Sequence, residues 1–125
     1  MSTTPVVMLG RTISANFTRP TDTNAYTAGD VVCNSTSAPV IMTFPRSTRE
    51  SIATIQQAIC IDSANVATKP DLELWLFDTT ITMDNDNAAF TPTDAELRTL
   101  VGVIAFPTAS FKSGDATSGA GGNSV

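Results

Sequence analysis

The chain has no histidine among its 125 residues. That removes the commonest general base, zinc ligand and activator of a serine or cysteine nucleophile, and most hydrolytic designs go with it. Charge is scarce as well: charged residues make up 15%, with 12 acids against 7 bases and a net charge of -5. No basic stripe tracks a phosphate backbone, so direct binding to nucleic acid is not expected. One tryptophan and one tyrosine supply few platforms for stacking sugars. Apolar runs are short, none near the roughly 18 residues of a membrane span. The opening "MSTTPVVMLGRT" has neither the basic region nor the apolar run of a signal peptide. The expectation is a soluble chain made in the cytoplasm, with no membrane partner. A disulfide between the two cysteines, Cys33 and Cys60, would need their strands to face each other. Without a secretory signal, two buried thiols are expected instead.

What is present is short strand-like segments spaced about ten residues apart and separated by Thr, Ser, Asn, Asp, Pro and Gly, the pattern of an antiparallel sandwich or barrel. They are Pro5 to Gly10, Thr12 to Phe17, Asp30 to Asn34, Pro39 to Phe44, Thr54 to Asp62, Leu72 to Phe77 and Leu100 to Phe106. Thr108 to Lys112 is read as an extension of the last. Ser47 and Glu50 offer a capping box ahead of Ile52, Ile55 and Ile59 at helical spacing, but the β-branched alternation from Ile55 to Ile61 favours a strand. A firmer helix signal lies near residues 94–101, where Thr93 and Glu96 form a capping box, Leu97 and Leu100 share a face, and Gly102 ends the pattern. Residues 1–112 are therefore expected to form a single β-sandwich domain. Residues 113–125, rich in glycine and serine, are expected to form a flexible tail or arm.

"LELWLF" carries the strongest packing signal. Leu72, Leu74 and Leu76 point one way, and Glu73, Trp75 and Phe77 the other, so both faces of this strand are bulky and apolar. It is read as a central strand, or as a strand whose Trp75 and Phe77 lie in a subunit contact, where aromatics are enriched.

The residues offer little chemistry. A Ser-Lys pair would have to use Lys69, beside Pro70, or Lys112, next to the tail. Asp84 and Asp86 are close in sequence but fall in "TMDNDNAAF", which reads as a solvated loop with no apolar pocket to raise a carboxyl pKa. The same loop fails as a calcium-binding EF-hand, because Ala88, Ala89 and Ala95 stand where the motif needs an oxygen ligand, a glycine and a glutamate. No phosphate-binding loop or dinucleotide fingerprint is present. The arginines Arg11, Arg19, Arg46, Arg49 and Arg98 are scattered and read as solubility charges. No catalytic residue, metal site or cofactor is expected.

The runs "RPTDTNAYTAGDVV" (Arg19 to Val32), "IDSANVATKPDLELWLFD" (Ile61 to Asp78) and "DNDNAAFTPTDAELRTLVGVIAF" (Asp84 to Phe106) together resemble a family of small virion proteins of tailed bacteriophages, the capsid decoration or cement proteins. The resemblance implies a jelly-roll-like β-sandwich, a non-enzymatic structural role on the outer capsid surface of the virion, the major capsid protein as partner, and a homo-oligomer, dimer or trimer. It adds no catalytic residues. The chain departs from the family in carrying "RSTRESIAT" where relatives have a glycine-rich entry to a strand. Two other readings stay open: a receptor- or carbohydrate-binding module of the head or tail, and a small tail or neck component.

In this setting the lead-in from Thr18 to Cys33 reads as a surface loop. Pro20 holds Arg19 extended, Asp22, Thr23 and Asn24 favour turns, and Tyr26 buries its ring while keeping its hydroxyl wet. Arg19, Pro20 and Tyr26 are thus candidate interface residues beside Trp75 and Phe77. The alternative is a long connection between sheets.

Overall fold

A computed structural model of the chain describes residues 17–21, 23–44, 55, 57–62, 68–113 and 122–124. The described residues group into two compact units, one drawn from Met1–Ile52 and Met83–Phe90, the other from Ala53–Thr82 and Thr91–Val125. The described part is mostly non-helical, with antiparallel strand pairs and one turn of α-helix.

Among the described residues, the regular strands lie in the second unit. They are β1 (Cys60–Asp62), β2 (Leu72–Phe77), β3 (Leu100–Phe106), β4 (Lys112–Ser113) and β5 (Gly122–Ser124). β2 and β3 pair antiparallel, and β5 lies between β1 and β4 in a second small antiparallel sheet. β2 and β3 occupy the spans their alternation predicts. Across them Leu72 faces Phe106, Leu74 faces Ile104 and Leu76 faces Gly102, forming one apolar row that ends at buried Phe106. The other row sets Glu73 opposite Ala105 and Trp75 opposite Val103. Beyond Leu76 the register slips so that Phe77 faces Leu100, and Val101, 70% exposed, is the extra residue. Such a bulge bends a ribbon and increases its twist.

Hydrogen bonds close the ribbon at both ends, through side chains at one and backbone at the other. Thr108 N donates to Asp71 Oδ1 (2.6 Å) and Thr108 Oγ1 to Lys69 O (2.8 Å), which ties the exit of β3 to the entry of β2. The Thr108 amide holds the Asp71 carboxyl below its usual pKa. At the other end, Asp78 N donates to Thr99 O (3.0 Å). The segment Thr108–Ser110 is a 3-10 turn, which corrects the expected strand extension; Ser110 N and Oγ both donate to Pro107 O.

The helix α1 (Asp94–Leu97) carries the predicted capping box. Glu96 N donates to Thr93 Oγ1, and Glu96 Oε2 accepts from Thr93 N (2.7 Å) and Thr93 Oγ1 (2.8 Å). The helix is shorter than expected. Thr99 turns both its N and its Oγ1 onto Glu96 O, stopping the helix after one turn, and the β-branched run from Leu100 then continues as a strand. Leu100 and Gly102 accordingly lie in β3 and not on the helix.

Several other expectations change. Pro39 to Phe44 forms no strand, and Asp30 to Asn34 contributes only a single antiparallel bridge, Asp30 to Ala89. Of Thr54 to Asp62, Cys60–Asp62 is strand, and Ile55 and Gln57 to Ile59 are irregular. Local alternation was present in all three stretches, but a strand also needs a partner ladder. Within the segment read as a tail, Gly122–Ser124 pairs with β1 and β4. The strands expected at Pro5 to Gly10 and Thr12 to Phe17, apart from Phe17 itself, and the capping box at Ser47 and Glu50 lie outside the described residues.

Glu96 also accepts from Thr82 N (2.6 Å), so one carboxylate ties the loop after β2 to the start of α1. Its pKa falls to about 2, first through the Thr82 amide and then through Thr93. The ionised form is the one the fold favours. Its contribution to stability is therefore full above the ordinary value of 4.5 and is lost as pH falls toward about 2. Urea unfolding followed by Trp75 fluorescence should show a smaller acid loss in Glu96→Gln than in the parent, because the glutamine side chain does not titrate and keeps only one accepting oxygen. Thr93→Ala should cost about 1 kcal/mol at neutral pH.

Candidate functional site

The described part of the first unit is organised by a side-chain cluster around one isolated bridge, Asp30 to Ala89. Two tight turns prepare it. Asp30 N donates to Thr27 O (3.1 Å) with Gly29 at φ 92, a left-handed backbone that suits glycine. Asp30 Oδ2 locks that turn by accepting from Thr27 N (2.7 Å) and Thr27 Oγ1 (2.8 Å). On the other segment, Ala88 N donates to Asn85 O (3.1 Å) and Asn87 takes φ 60, a region asparagine tolerates better than most residues. The turns are stitched together by Val31 N to Ala88 O (2.8 Å), Asn87 N to Val31 O (2.9 Å) and Phe90 N to Gly29 O (2.9 Å). With its amide nitrogen turned inward, Asn87 donates to Ala25 O (3.3 Å) and Asp30 Oδ2 (3.2 Å).

This stitching drives Asp86 inward, and its side chain has no exposed surface. Its carboxylate gathers donors from residues far away in sequence. The Tyr26 hydroxyl lies 2.9 and 2.8 Å from the two oxygens and shares its proton between them, and Cys33 N donates to Oδ1 (2.8 Å). Arg19 Nη2 stands 3.9 Å from Oδ2. The Arg19 guanidinium also sits 4.5 Å from the centroid of the Tyr26 ring, a cation–π contact. Asp86 N donates to Ser35 O (2.8 Å), and the buried Cys33 thiol lies 3.4 Å from Ser35 O and 3.7 Å from Asp84 O. The buried carboxylate is thus compensated by hydrogen bonds and a cation, as a buried charge requires.

Three expectations are corrected here. Asp86 is buried and not part of a solvated loop, Arg19 is a specific partner and not a scattered charge, and the Tyr26 hydroxyl is spent on a carboxylate and not left to water. Arg19 and Tyr26, both read as interface residues, do come together, with half-exposed Pro20 next in the chain. Trp75 and Phe77 belong to the second unit, on β2, where both are partly buried and Trp75 Nε1 donates to Glu73 Oε2 (2.9 Å). Cys33 and Cys60 are both thiols, Cys33 buried and Cys60 partly so. Asp86 was missed because its partners lie 53 and 60 residues away. The usable signal was that the only tyrosine and a lone arginine precede a strand-like run, and that an Asn-Asp-Asn turn follows much later.

Among the described residues no group of three or more Cys, Asp or Glu is placed to hold a metal ion, and no helix is long and apolar enough to cross a membrane. A shallow depression of about 360 Å³ is lined by Phe17, Thr18, Asn34, Val40, Ile41 and Met42. Its one amide, Asn34, already accepts from Val40 N (2.7 Å) through Oδ1.

Tyr26 is pushed up to about 12 from 10.0, first by burial and then by its bond to Asp86, with Arg19 pulling the other way. The folded state therefore favours the protonated phenol. Its contribution is full below pH 10.0 and is lost as pH rises toward about 12. Because Tyr26 is the only tyrosine, alkaline difference absorbance reads it alone, and the transition should sit well above that of the unfolded chain. Tyr26→Phe should lower the stability of this unit by about 2 kcal/mol, the scale of a hydrogen bond to a charged group.

Compared with known proteins, the chain matches no family model, no curated sequence and no solved structure.

Proposed function

We propose that this chain is a non-enzymatic structural protein of a tailed-phage virion, a decoration or cement protein that binds the outer capsid surface and bridges neighbouring capsomers. The reading rests on the resemblance of Arg19 to Val32, Ile61 to Asp78 and Asp84 to Phe106 to that family. The structural observation that supports it best is a set of aliphatic side chains exposed on the second unit. Ile61 is 75% exposed and Val101 70%, with Ile55, Ile59 and Val103 also open to solvent. These exposed β-branched side chains are the candidate contact residues of the proposed interface.

The proposed fold is a jelly-roll-like sandwich in which β2 and β3 are one antiparallel pair. The mechanism is bridging. Each contact with the major capsid protein is weak, but a protein engaging two capsomers makes its second contact intramolecularly, at high effective concentration. Many bound copies favour the assembled shell over its parts by mass action. A dimer or trimer placed on a lattice axis gives this bridging its symmetry.

The experiment is a count of copies in purified particles, followed by heat and osmotic shock of particles assembled without the chain. Many copies in fixed ratio to the shell subunit, and weaker particles in their absence, are expected. A ring-sized copy number would move the protein to the neck or tail, and glycan binding by the isolated chain would favour the receptor-binding reading. Particles that lack the chain, or that withstand shock equally well without it, would end the cement reading. Val101→Asp should abolish shell binding while leaving Trp75 fluorescence unchanged, because the bulged residue is exposed and unpaired.

A further inference from the structure

We infer that the outer edge of β3 is the seam of a homodimer: a second copy lays its own β3 antiparallel along it, making a four-stranded sheet with the two β3 strands at the centre. The inference deepens the proposed function, from which it takes the expectation of a dimer, by naming the surface that forms it. β3 pairs with β2 along one edge, and among the described residues no hydrogen bond outside that ladder reaches Leu100–Phe106. An open edge is a template for another chain, and proteins that keep one single place charge or proline on it. β3 has neither, and the uncharged run extends from Thr99 to Phe111. Its one irregularity, the bulge at Val101, lies near its start and leaves Gly102 to Phe106 in unbroken register. Two strands alone are marginal in water, and pairing across the seam makes four.

The occupant is a second copy because the edge is complementary to itself. A two-fold axis at Val103 sets that residue opposite its own counterpart and Gly102 opposite Ile104 of the second copy, so the contact closes on itself. A Cβ at Gly102 would meet no atom of the described residues within 4 Å, which leaves room for the partly exposed Ile104 of the second copy. Charge selects this edge over that of β2. Copies carrying a net charge of -5 repel one another, which favours a seam without charge. β2 carries Glu73 and is bracketed by Asp71 and Asp78, so its self-pairing would bring like charges together. Across the β3 seam, Val101, Val103 and Ala105, exposed on one face of each ribbon, join into one uncharged surface. Under the proposed function, that joined surface is the one offered to the shell.

The test uses the full chain. Sedimentation velocity over a concentration series should show a monomer–dimer equilibrium. Val103→Lys, which faces two ammonium groups across the axis, should raise the dissociation constant by about tenfold or more, with the far-UV circular dichroism of the parent. Val103→Glu should do the same, and mixing the two variants should restore association by pairing opposite charges. Oxidised Val103→Cys should form a dimer in which peptide mass spectrometry finds position 103 linked to itself. Residues directly opposite in an antiparallel pair stand about 4.5–5.5 Å apart in Cα, within a disulfide's reach. Should the charged variants fail to fold by circular dichroism, the cysteine link decides. A chain that stays monomeric or forms a trimer, a dimer indifferent to Val103→Lys, or failure of position 103 to link to itself overturns the seam. None of these readings needs a shell. A monomer that binds particles overturns the seam and leaves the cement role standing, whereas a dimer linked at position 103 that binds none supports the seam and ends the cement role.

Discussion

A carboxylate with no exposed surface persists in a protein only where donors converge on it, and in this chain that requirement shapes the described part of the first unit. Asp86 needs Tyr26, Cys33 and Arg19, and those three can reach it only if the lead-in from Arg19 folds back over the turn at Asn85 to Ala88. Gly29 and Asn87 supply the two left-handed positions that make the approach possible. Among the described residues of this unit the buried apolar ones are Val31 and Cys33, and both lie on the segment that carries donors to Asp86. The geometry is consequently specific, because hydrogen bonds to a charge weaken steeply with distance and angle.

The second unit is held in a different way. Its ribbon pairs two strands separated by residues 78–99, with a capped turn of helix just before β3, and its polar ties run from surface carboxylates to threonine amides. A two-stranded ribbon alone is marginal in water, so the ties of Asp71 to Thr108 and of Glu96 to Thr82 matter beyond their individual strength. They fix where the strands begin and end. The bulge at Val101 then sets an aliphatic side chain out into solvent at the point where the ribbon bends.

This division suits a protein that works by contact. The apolar side chains presented by β1 and β3 offer area without charge, and the anchoring carboxylates of that unit, Asp71 and Glu96, are occupied by threonine donors. Association through such surfaces gains by excluding water and needs no reacting group, which agrees with the cement role proposed from the resemblance.

What could be read from the sequence was whatever depends on neighbours a few residues apart. The capping box of Thr93 and Glu96, the alternation of Leu72 to Phe77 and the span of Leu100 to Phe106 were all visible, because helix caps and strand faces are local geometry. The strands expected at Asp30 to Asn34 and Pro39 to Phe44 did not form, since alternation only permits a strand and a second segment must supply its ladder. The length of α1 was also misjudged, because Thr99 competes for Glu96 O in a way no periodicity records. Asp86 is the clearest case: between two asparagines it has every local mark of a solvated loop. Only the tertiary structure could bury it, because the tyrosine, amide and arginine that make burial tolerable come from the far side of 50 or more residues, as the separations of 53 and 60 show.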